Sequence, residues 1–555
     1  MRNLHYALLI SLLTFSVACE KGSTPKSEDG KVAEKNGEKK AKNKAKNKAG
    51  HKTDMFTTAL NADPETLDPG KMSGAPEGRI AFQIFEGLMM PGPTTEGLTD
   101  PSKIVTYGVA ESHTLSEDGK TYTFKIRKDS KWSDGSPLNA NDFVYSWKRV
   151  LTKETGADYV TMLHVIENAK AFTDGKVGFD KVGIKAKDDF TLEVKLNNPT
   201  PFFLELVAFY TYFPVPKSAI EKHGKKWTRP QNIITNGAYK LATYAPQKKV
   251  ILRANEHYWD AKKVKMKDIK LSIITDANAR VNAYKTGQLH WTGAGLPVAQ
   301  IAGLLADDDY FREPLLGVYY YRLNVSKEGP LKNPKVREAL SLAIDRQTLI
   351  DNTLNGLFTV ADSYVPPIAG YTSTTKTSYS IKKAKDLLAE AGFPKGKGFP
   401  KISLLYNTDE NHKLVAESIQ AMWKRNLGID ITLNNKEWAT YLQDVDSLSY
   451  EIARAGWIGD YNDPNTFLEM WQSENGNNDT GWKNAKYDAL LKSIEAETDK
   501  AKRVTLMQQA EELLLTEGPI IPIYFYTNNM LKSTDIQGFE PHNRDVHLFK
   551  YMSLK

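Results

Sequence analysis

Cysteine and long apolar runs are both nearly absent from this chain of 555 residues, in which Cys19 is the only cysteine. No internal disulfide can form, so the chain does not belong to the small secreted domains that disulfides hold together. The apolar run from Tyr6 to Phe15 follows Arg2 and is too short to span a bilayer as a stable helix. Residues 1–19 therefore predict a secretion signal that is removed, and no later segment has the ~20 continuous apolar residues of a membrane helix.

Motifs of catalysis and metal binding are absent as well. The ten histidines are scattered, without an H-E-x-x-H pattern or a His/Cys pair, so no metal site is predicted. There is no G-x-S-x-G elbow, no Walker A sequence and no G-x-G-x-x-G fingerprint. Carboxylates are abundant, but their positions single out no acid/base pair. The sequence predicts no cofactor and no catalytic residue; a secreted hydrolase without a recognisable motif is the alternative class.

The segment from Glu20 to Thr53 has almost no apolar residue to bury and is rich in lysine, so it predicts a disordered tether. Its eleven lysines and five acidic residues, together with Arg2, account for the whole formal net charge of +7. The rest of the chain is thus close to neutral, which argues against a nucleic-acid-binding body. A solvated spacer is the favoured interpretation, because asparagine, glycine and acidic residues dilute the lysines. Binding to nucleic acid or anionic lipid, or a surface adhesin that meets host polyanions, is the alternative.

Residues 54–555 are too many for one hydrophobic core and should divide into two or three lobes. No repeat period, low-complexity segment, or linker rich in proline or in glycine and serine interrupts them. We therefore expect the chain to pass between the lobes more than once.

A strand-to-helix loop is the first candidate binding site. Residues 452–457 are short and mostly apolar and predict a buried strand, and Asp463-Pro464 predicts the start of a helix. Ligands of open α/β sheets lie at the carboxyl ends of strands, where this loop places Asp460 between Trp457 and Tyr461. A lone carboxylate flanked by aromatic rings suits a small cation, such as the amino end of a ligand; a solvated turn aspartate is the alternative.

A β-α-β unit with parallel strands and a right-handed crossover supplies a second candidate. Its strands are predicted over 402–406 and 429–433, with an amphipathic helix between them. His412 falls at the first turn of that helix, just past a strand's carboxyl end, which is the same kind of position as Asp460. The two side chains are expected to line one crevice, with a structural histidine as the alternative. Arg454 is expected near the crevice or paired with an acidic residue below it.

Six blocks of sequence carry a resemblance to a known family. They are TLDPGKMSGAPE (Thr66–Glu77), the stretch Thr121–Leu151, PVPKSAIEKHGKKW (Pro214–Trp227), ITNGAYKL (Ile234–Leu241), LLYNTDENHK (Leu404–Lys413) and GWIGDYNDP (Gly456–Pro464). Together they resemble the OppA-like oligopeptide-binding lipoproteins of ABC importers, the extracellular solute-binding proteins of family 5. The resemblance implies an α/β fold of the periplasmic-binding-protein type II class with three lobes, two of which close over the ligand. The implied lobes are 54–85, 217–317 and 528–555 for lobe I, 86–216 for lobe II, and 318–527 for lobe III.

The resemblance also implies roles for individual residues. Asp460 resembles the carboxylate that binds the α-amino group of a peptide, which lies extended and is held through its backbone like an added strand. Cys19 resembles the acylated first residue of a bacterial lipoprotein. The other implied binding residues are Gly456 and Ile458 on one side of the peptide, Ala75 and Gly317 on the other, the aromatic walls Tyr159, Trp438, Trp457 and Tyr526, the polar residues His412 and Arg454, and further Tyr320 and Arg322.

The chain departs from the enteric members of that family at several positions. Ser73 and Arg322 stand where those members carry glutamates, and Val445 and the region of Leu354 lack bases that can meet a peptide carboxylate. Ser16 replaces the usual leucine of the lipoprotein signal. Arg322 would meet an acidic group of the peptide or form an internal ion pair. These changes bear on the preferred peptide length and side chains.

The implied partners are an oligopeptide, the subunits of an ABC permease and, through the acylated Cys19, a bacterial membrane. The protein is expected in the periplasm or cell envelope as a lipid-anchored monomer, without nucleic acid as a partner. Dipeptide, murein-peptide, haem and nickel binders share the fold and stay open as alternatives.

Overall fold

The computed structural model describes residues 55–92, 104–293 and 295–555. They lie in one compact unit, Ala49–Lys555. The signal peptide predicted over residues 1–19, including Cys19, and the tether predicted over residues 20–53 lie outside the described residues. Within the described ranges, no helix combines the length and the apolar character needed to cross a membrane.

Eighteen strands form five sheets in this part of the chain. The strands are β1 Phe56–Leu60, β2 Met89–Pro91, β3 Val105–Tyr107, β4 Ala110–Leu115, β5 Thr121–Ile126, β6 Ile184–Asp188, β7 Thr191–Lys195, β8 Tyr239–Ala245, β9 Lys249–Ala254, β10 Asp268–Ile273, β11 Tyr310–Leu323, β12 Thr359–Val360, β13 Ile402–Asn407, β14 Ile431–Lys436, β15 Ile452–Ile458, β16 Ile520–Leu531, β17 Ile536–Gln537 and β18 Ser553–Leu554.

Helices cover the sheets. The α-helices of the described ranges are α1 Ala75–Ile84, α2 Ala140–Leu151, α3 Ala169–Thr173, α4 Phe203–Leu206, α5 Lys217–His223, α6 Ala277–Lys285, α7 Val298–Leu304, α8 Pro334–Leu342, α9 Arg346–Thr348, α10 Ile381–Glu390, α11 Glu410–Leu427, α12 Trp438–Asp446, α13 Asn465–Leu468, α14 Ala485–Ala496 and α15 Lys500–Glu517.

The largest sheet has the order β12-β16-β11-β15-β13-β14 and carries both candidate loops. Strands β13 and β14 are parallel and joined by α11, so the predicted β-α-β unit is confirmed. Strand β14 begins at Ile431, two residues later than predicted. The reason is that the Ile429 N–H still donates to the Trp423 carbonyl at 3.4 Å, which closes the end of α11.

Two four-stranded sheets complete the framework, with orders β1-β10-β9-β8 and β4-β5-β7-β6. The first contains a hairpin, β8 with β9, in which Leu241 pairs with Leu252. In the second, β5 alternates buried and more exposed residues, as expected of a strand with one face on the core. The remaining strands form two small pairs, β2 with β3 and β17 with β18.

Strand β11 separates two hydrophobic cores, because successive side chains of a strand point to opposite faces. Tyr319 and Tyr321 belong to one core, and Val318 and Tyr320 belong to the other. The predicted boundary between lobes I and III falls inside β11 and inside β16, which pair side by side. The lobe boundaries stay a prediction.

Candidate ligand-binding site

A cavity of about 420 Å³ lies at the carboxyl ends of β13 and β15. Its wall combines chain segments that are far apart in sequence, among them Ala75, Tyr159, His412, Asp460 and Arg544. Its volume falls within the range of sites that hold small molecules and short peptides. A larger hollow of about 930 Å³ lies elsewhere, beside Lys265–Lys267 and Ser553, and contains none of the predicted site residues. The smaller cavity is therefore the candidate site.

Strand β15 presents a backbone edge to this cavity. The Gly459 N–H donates to the Leu316 carbonyl at 2.8 Å, and in an antiparallel pair such bonds alternate along the strand. The N–H and C=O groups of Gly456 and Ile458 therefore point away from β11. Strand β13 pairs with β15 only at Ile452 and Ala453, so no described strand covers Gly456 and Ile458 on that side. This edge can accept an extended backbone as an added strand.

Gly456 itself is required by close packing. A Cβ at this position would collide with the Tyr526 hydroxyl and lie 3.2 Å from its ring. Tyr526 is held there because its hydroxyl accepts a hydrogen bond from Arg454 at 2.7 Å. The bare backbone at Gly456 is thus part of the shape of the cavity.

Asp460 lies just beyond the end of β15 and is only 6 % exposed. Its N–H donates to the Thr466 hydroxyl at 2.9 Å, and the same hydroxyl lies 3.5 Å from the carboxylate. Burial raises the pKa of Asp460 to about 8, and Arg544, Thr466 and Tyr159 lower it only in part. Arg544 donates to the main-chain oxygen of Asp460 and not to its carboxylate. A cation bound beside this carboxylate would favour its charged form, which burial otherwise disfavours.

Hydrogen bonds and an ion pair hold the loop that carries Asp460. Asp463 accepts the Asn465 N–H at 2.9 Å and pairs with Arg503 at 2.6 Å. The Trp457 indole donates to the Thr466 carbonyl at 2.8 Å, which ties the end of β15 to the start of α13. The predicted strand and the predicted helix start therefore occur where the sequence placed them.

Arg454 forms a cationic end of the cavity, opposite Asp460. The Arg454 guanidinium donates to Asn407 at 3.2 Å, lies 5.0 Å from the Tyr319 ring centroid and has no carboxylate at ion-pair distance among the described residues. Burial lowers the pKa of His412 to about 3, with Arg454 acting in the same direction, so this imidazole is neutral. Asp460 lies six positions after Arg454 in the sequence, about 20 Å away at ~3.3 Å per extended residue. The cavity thus has an acidic and a basic end along one strand.

Most of the predicted site residues meet in the cavity. Those that line it are Ala75, Tyr159, Arg322, His412, Trp438, Arg454, Gly456, Trp457, Ile458, Asp460 and Tyr526.

Tyr320 does not line the cavity, and its predicted role in ligand binding stays a prediction. Its side chain is fully buried and packs edge-on against Tyr364 at 5.3 Å and Trp471 at 5.8 Å, because it points to the opposite face of β11. Gly317 lies behind β15, opposite Ile458, and is also outside the cavity wall. Arg322 lines the cavity but forms an ion pair with Asp479, the internal-pair alternative for this residue.

Several residues of the site could not be recognised in the sequence. Arg544 and Glu205 reach the Asp460 loop from distant parts of the chain. Glu205 accepts two hydrogen bonds from Asn462, one from its N–H at 3.0 Å and one from its side chain at 2.9 Å, and lies 3.8 Å from Arg544. Phe202 stacks on Tyr461 with ring centroids 4.4 Å apart. These contacts join residues 202–205 to the loop that carries Asp460, next to the cavity.

Comparison with known proteins places this geometry in context. The family model of bacterial extracellular solute-binding proteins, family 5, matches residues 105–479. The oligopeptide-binding protein OppA of Bacillus subtilis is 38% identical over 548 residues, which cover 96% of this chain and 95% of the relative. The Haemophilus influenzae OppA complex with the peptide RPPGFSPFR superposes with a TM-score of 0.86 at 33% identity, covering 91% of this chain and 99% of that one.

A pair of structures of one relative identifies the conformation. The murein tripeptide-binding protein MppA of Escherichia coli is 34% identical and superposes with a TM-score of 0.86, covering 91% of this chain and 99% of its own. Its unliganded open form gives a TM-score of only 0.61, with 91% and 98% covered. The arrangement of this chain thus matches the first MppA structure and the Haemophilus influenzae OppA peptide complex more closely than the open form.

Proposed function

Since this chain belongs to the bacterial extracellular solute-binding proteins of family 5, we propose the following account of how it binds its ligand. The protein captures oligopeptides outside the cytoplasm and delivers them to the membrane permease of an ABC importer. The ligand lies extended between the two lobes that close over it. The observation that carries the proposal is the buried Asp460 carboxylate, whose pKa stays raised despite Arg544 and which forms no ion pair within the described ranges, at the end of an unpaired strand edge.

In the proposed complex, the α-amino group of the peptide binds Asp460. The peptide backbone bonds to the N–H and C=O groups of Gly456 and Ile458 and so continues the sheet beyond β15. Tyr159, Trp438, Trp457 and Tyr526 supply aromatic walls whose contacts are not specific for one side chain. Arg454 at the basic end suits a peptide carboxylate. Backbone recognition explains how one site can accept many sequences.

The experiment is calorimetry with trialanine and with N-acetyl-trialanine. We expect the acetylated peptide, which has no charged amine, to bind several-fold to a few hundred-fold more weakly, in line with about 1–3 kcal/mol for one charge-assisted contact. Asp460→Ala should cause a loss of the same size for trialanine and a small change for the acetylated peptide. Asp444→Ala, on α12 and outside the cavity wall, is the control. Equal binding of both peptides by the native protein would refute the role of Asp460.

A murein peptide is the second candidate ligand, because the chain superposes on a murein tripeptide-binding protein as well as on an oligopeptide-binding one. Native mass spectrometry of the protein as purified distinguishes the two through the masses that it carries. The same sample tests for hydrolysis, since a binding protein returns added peptides uncut and a secreted hydrolase does not.

The membrane attachment is a separate proposal. Cys19 follows the short apolar segment and is proposed to become the acylated first residue of the mature protein, with residues 20–53 as its spacer. Mass spectrometry of the amino-terminal peptide tests this: a diacylglyceryl-modified Cys19 supports the anchor, and an unmodified or uncleaved terminus refutes it. Deleting residues 20–53 and measuring heparin binding tests the adhesin alternative, which predicts loss of binding.

A further inference from the structure

The larger hollow of about 930 Å³, which contains none of the predicted site residues, is lined by lysines. Lys265, Lys267 and Lys270 lie in its wall, and Asp268 is the one acidic side chain among its described lining residues. This carboxylate is already paired, because it lies 3.2 Å from the side chain of Arg253. The positive charge of the hollow is therefore not balanced from within its wall.

The lysines of the hollow belong to a short segment of high positive charge. Residues 261–270 read AKKVKMKDIK and contain five lysines in ten residues. The apolar residues between the lysines are buried, so the lysine side chains are directed to the solvent. Lys263 pairs with Asp260 at 3.1 Å, and within the described ranges no other lysine of the segment has a carboxylate at ion-pair distance. The exposed members are Lys262, Lys263, Lys265 and Lys267.

The hollow and the candidate peptide site lie at opposite ends of strand β1. Met55, just before the strand, lines the hollow, whereas Leu60, the last residue of the strand, lines the candidate site. The five residues of β1 span about 17 Å at ~3.3 Å per residue. A partner bound at the hollow would therefore leave the peptide cavity uncovered.

The chain enters the described structure at this same face. Met55 is the first residue that the structure describes, so residues 20–53, with eleven lysines and five acidic residues, join the body of the protein beside the hollow. An acyl group on Cys19, as proposed above, would attach the protein to a bilayer from this side. Tyr551 is 47 % exposed and stands two residues before Ser553 of the wall. Tyrosine is a side chain enriched at the head-group level of membranes.

We propose that residues 261–270 and the hollow beside them form a docking surface for anionic phospholipid, on which the protein rests at the membrane. The lysine ammonium groups donate hydrogen bonds to head-group phosphates. An acyl anchor limits the distance between the chain and the bilayer but does not orient the body, whereas positive charge on one face does. The inference does not depend on peptide binding; it adds an orientation in which the β1 end with the hollow faces the lipid.

The arrangement of the charges favours a lipid surface over a single bound anion. The described wall of the hollow contains no arginine, whose planar fork would fix one phosphate. The lysines are instead spread along ten residues, and each is a point charge on a flexible stem. Such a spread suits an array of phosphates that can move, as in a bilayer.

The test is lysine footprinting of the whole chain on vesicles. The protein is mixed at low salt with vesicles of phosphatidylcholine, either alone or with about 30 % phosphatidylglycerol, and is acetylated briefly. Mass spectrometry then gives the rate at each lysine. We expect acetylation of Lys262, Lys265 and Lys267 to be about fivefold or more slower on the anionic vesicles, and that of Lys382, whose side chain is 89 % exposed on α10, to be unchanged. About 0.5 M salt should remove the protection.

Two matched variants measure the contribution of the surface to binding. Both are made in the Cys19→Ala chain, so that no acyl group adds to the binding, and each replaces three exposed lysines with glutamine. One lysine near an anionic surface contributes about fivefold, so the variant of the segment should bind anionic vesicles about tenfold or more weakly than its parent, while the control changes less than twofold. The variants are Lys262→Gln with Lys265→Gln and Lys267→Gln in the segment, and Lys382→Gln with Lys383→Gln and Lys385→Gln on α10.

The results separate this inference from the other proposals. Equal acetylation of the segment on both kinds of vesicle would refute the docking surface, whether or not Cys19 is acylated and whether or not peptides bind. Protection confined to the lysines of residues 20–53 would refute it too. Equal protection by inorganic phosphate or heparin without vesicles would overturn the assignment to lipid. Trialanine affinity should be the same with and without anionic vesicles, and a loss would contradict the uncovered cavity. Should the variant of the segment not fold, footprinting of the native protein decides alone.

Discussion

Peptide affinity should depend steeply on pH, because Asp460 is mostly protonated in the ligand-free protein but must lose its proton to form an ion pair with the peptide amine. Burial raises the pKa of Asp460 to about 8, so at pH 7 about 9 in 10 molecules of the ligand-free closed form carry a neutral acid. A peptide amine has a pKa of about 7.7–8.0 and is mostly protonated at that pH. The ion pair holds one proton where the separate partners hold two, so binding releases a proton. Affinity should fall about tenfold per pH unit below pH 7, about 80-fold between pH 7 and pH 5.

Calorimetry with trialanine checks this in buffers of different ionisation enthalpy. We expect about one proton released per peptide at pH 6, maximal affinity near pH 8, and weaker binding above it as the amine loses its proton. Trialanine is chosen because it has no ionisable side chain, so that only its two termini carry charge. Burial also raises the pKa of Glu469 to about 8, and the Asp460 charge acts in the same direction, so the Asp460→Asn variant is needed to separate the two groups.

Asp460→Asn is the control, since an amide has no proton to release. Its affinity should be weaker at pH 7 and flat between pH 5 and 7, and the acetylated peptide should show the same flat profile with the native protein. A flat profile for native protein with trialanine, or proton uptake on binding, would refute the claim that a buried neutral Asp460 receives the amine.

Further predictions concern stability, shape and closure. The pKa of Asp460 is higher in the folded than in the unfolded protein, where it is 3.8, so the ligand-free protein loses stability as pH rises from about 4 to 8. Asp460→Asn should therefore stabilise the ligand-free protein by up to about 4 kcal/mol at pH 7 and little at pH 4. Urea unfolding at the two pH values measures the difference. Gly456→Ala should weaken trialanine binding about tenfold or more, because the added Cβ displaces Tyr526, whereas Gly303→Ala, with open space around it, should leave affinity unchanged in the same calorimetric assay. Glu205→Ala removes the hydrogen bonds to the Asp460 loop, so small-angle scattering should show a larger ligand-free radius of gyration and peptide affinity should fall several-fold; unchanged scattering would contradict a role in closure.

The sequence could predict elements that local pattern determines. The apolar run of β15, the Asp463-Pro464 helix start and the β-α-β unit all occur in the structure, and Asp460 lies on the loop between them. Arg544 and Glu205 could not be predicted, because they are 84 and 257 residues from their partners Asp460 and Asn462. Tyr320 could not be placed from sequence for a different reason. Alternation along a strand identifies its two faces but does not tell which face borders the cavity. In the structure, the Tyr320 side chain packs against Trp471. The ligand role of each residue stays a prediction until binding is measured.

The peptide backbone and amino terminus together supply enough free energy to close the cavity, and this sets the task left for the peptide side chains. Gly456 and Ile458 offer two N–H and two C=O groups, worth about 1 kcal/mol each when bonded, and the amine at Asp460 adds about 1–3 kcal/mol. The sum of about 5–7 kcal/mol matches the ~5.5 kcal/mol needed to shift an open-to-closed equilibrium from 99:1 to 1:99. None of these contacts depends on the peptide sequence, so they favour closure on any peptide with a free amine. Discrimination between peptides must therefore come from the side chains of the wall, where seven acidic residues and four arginines line the cavity.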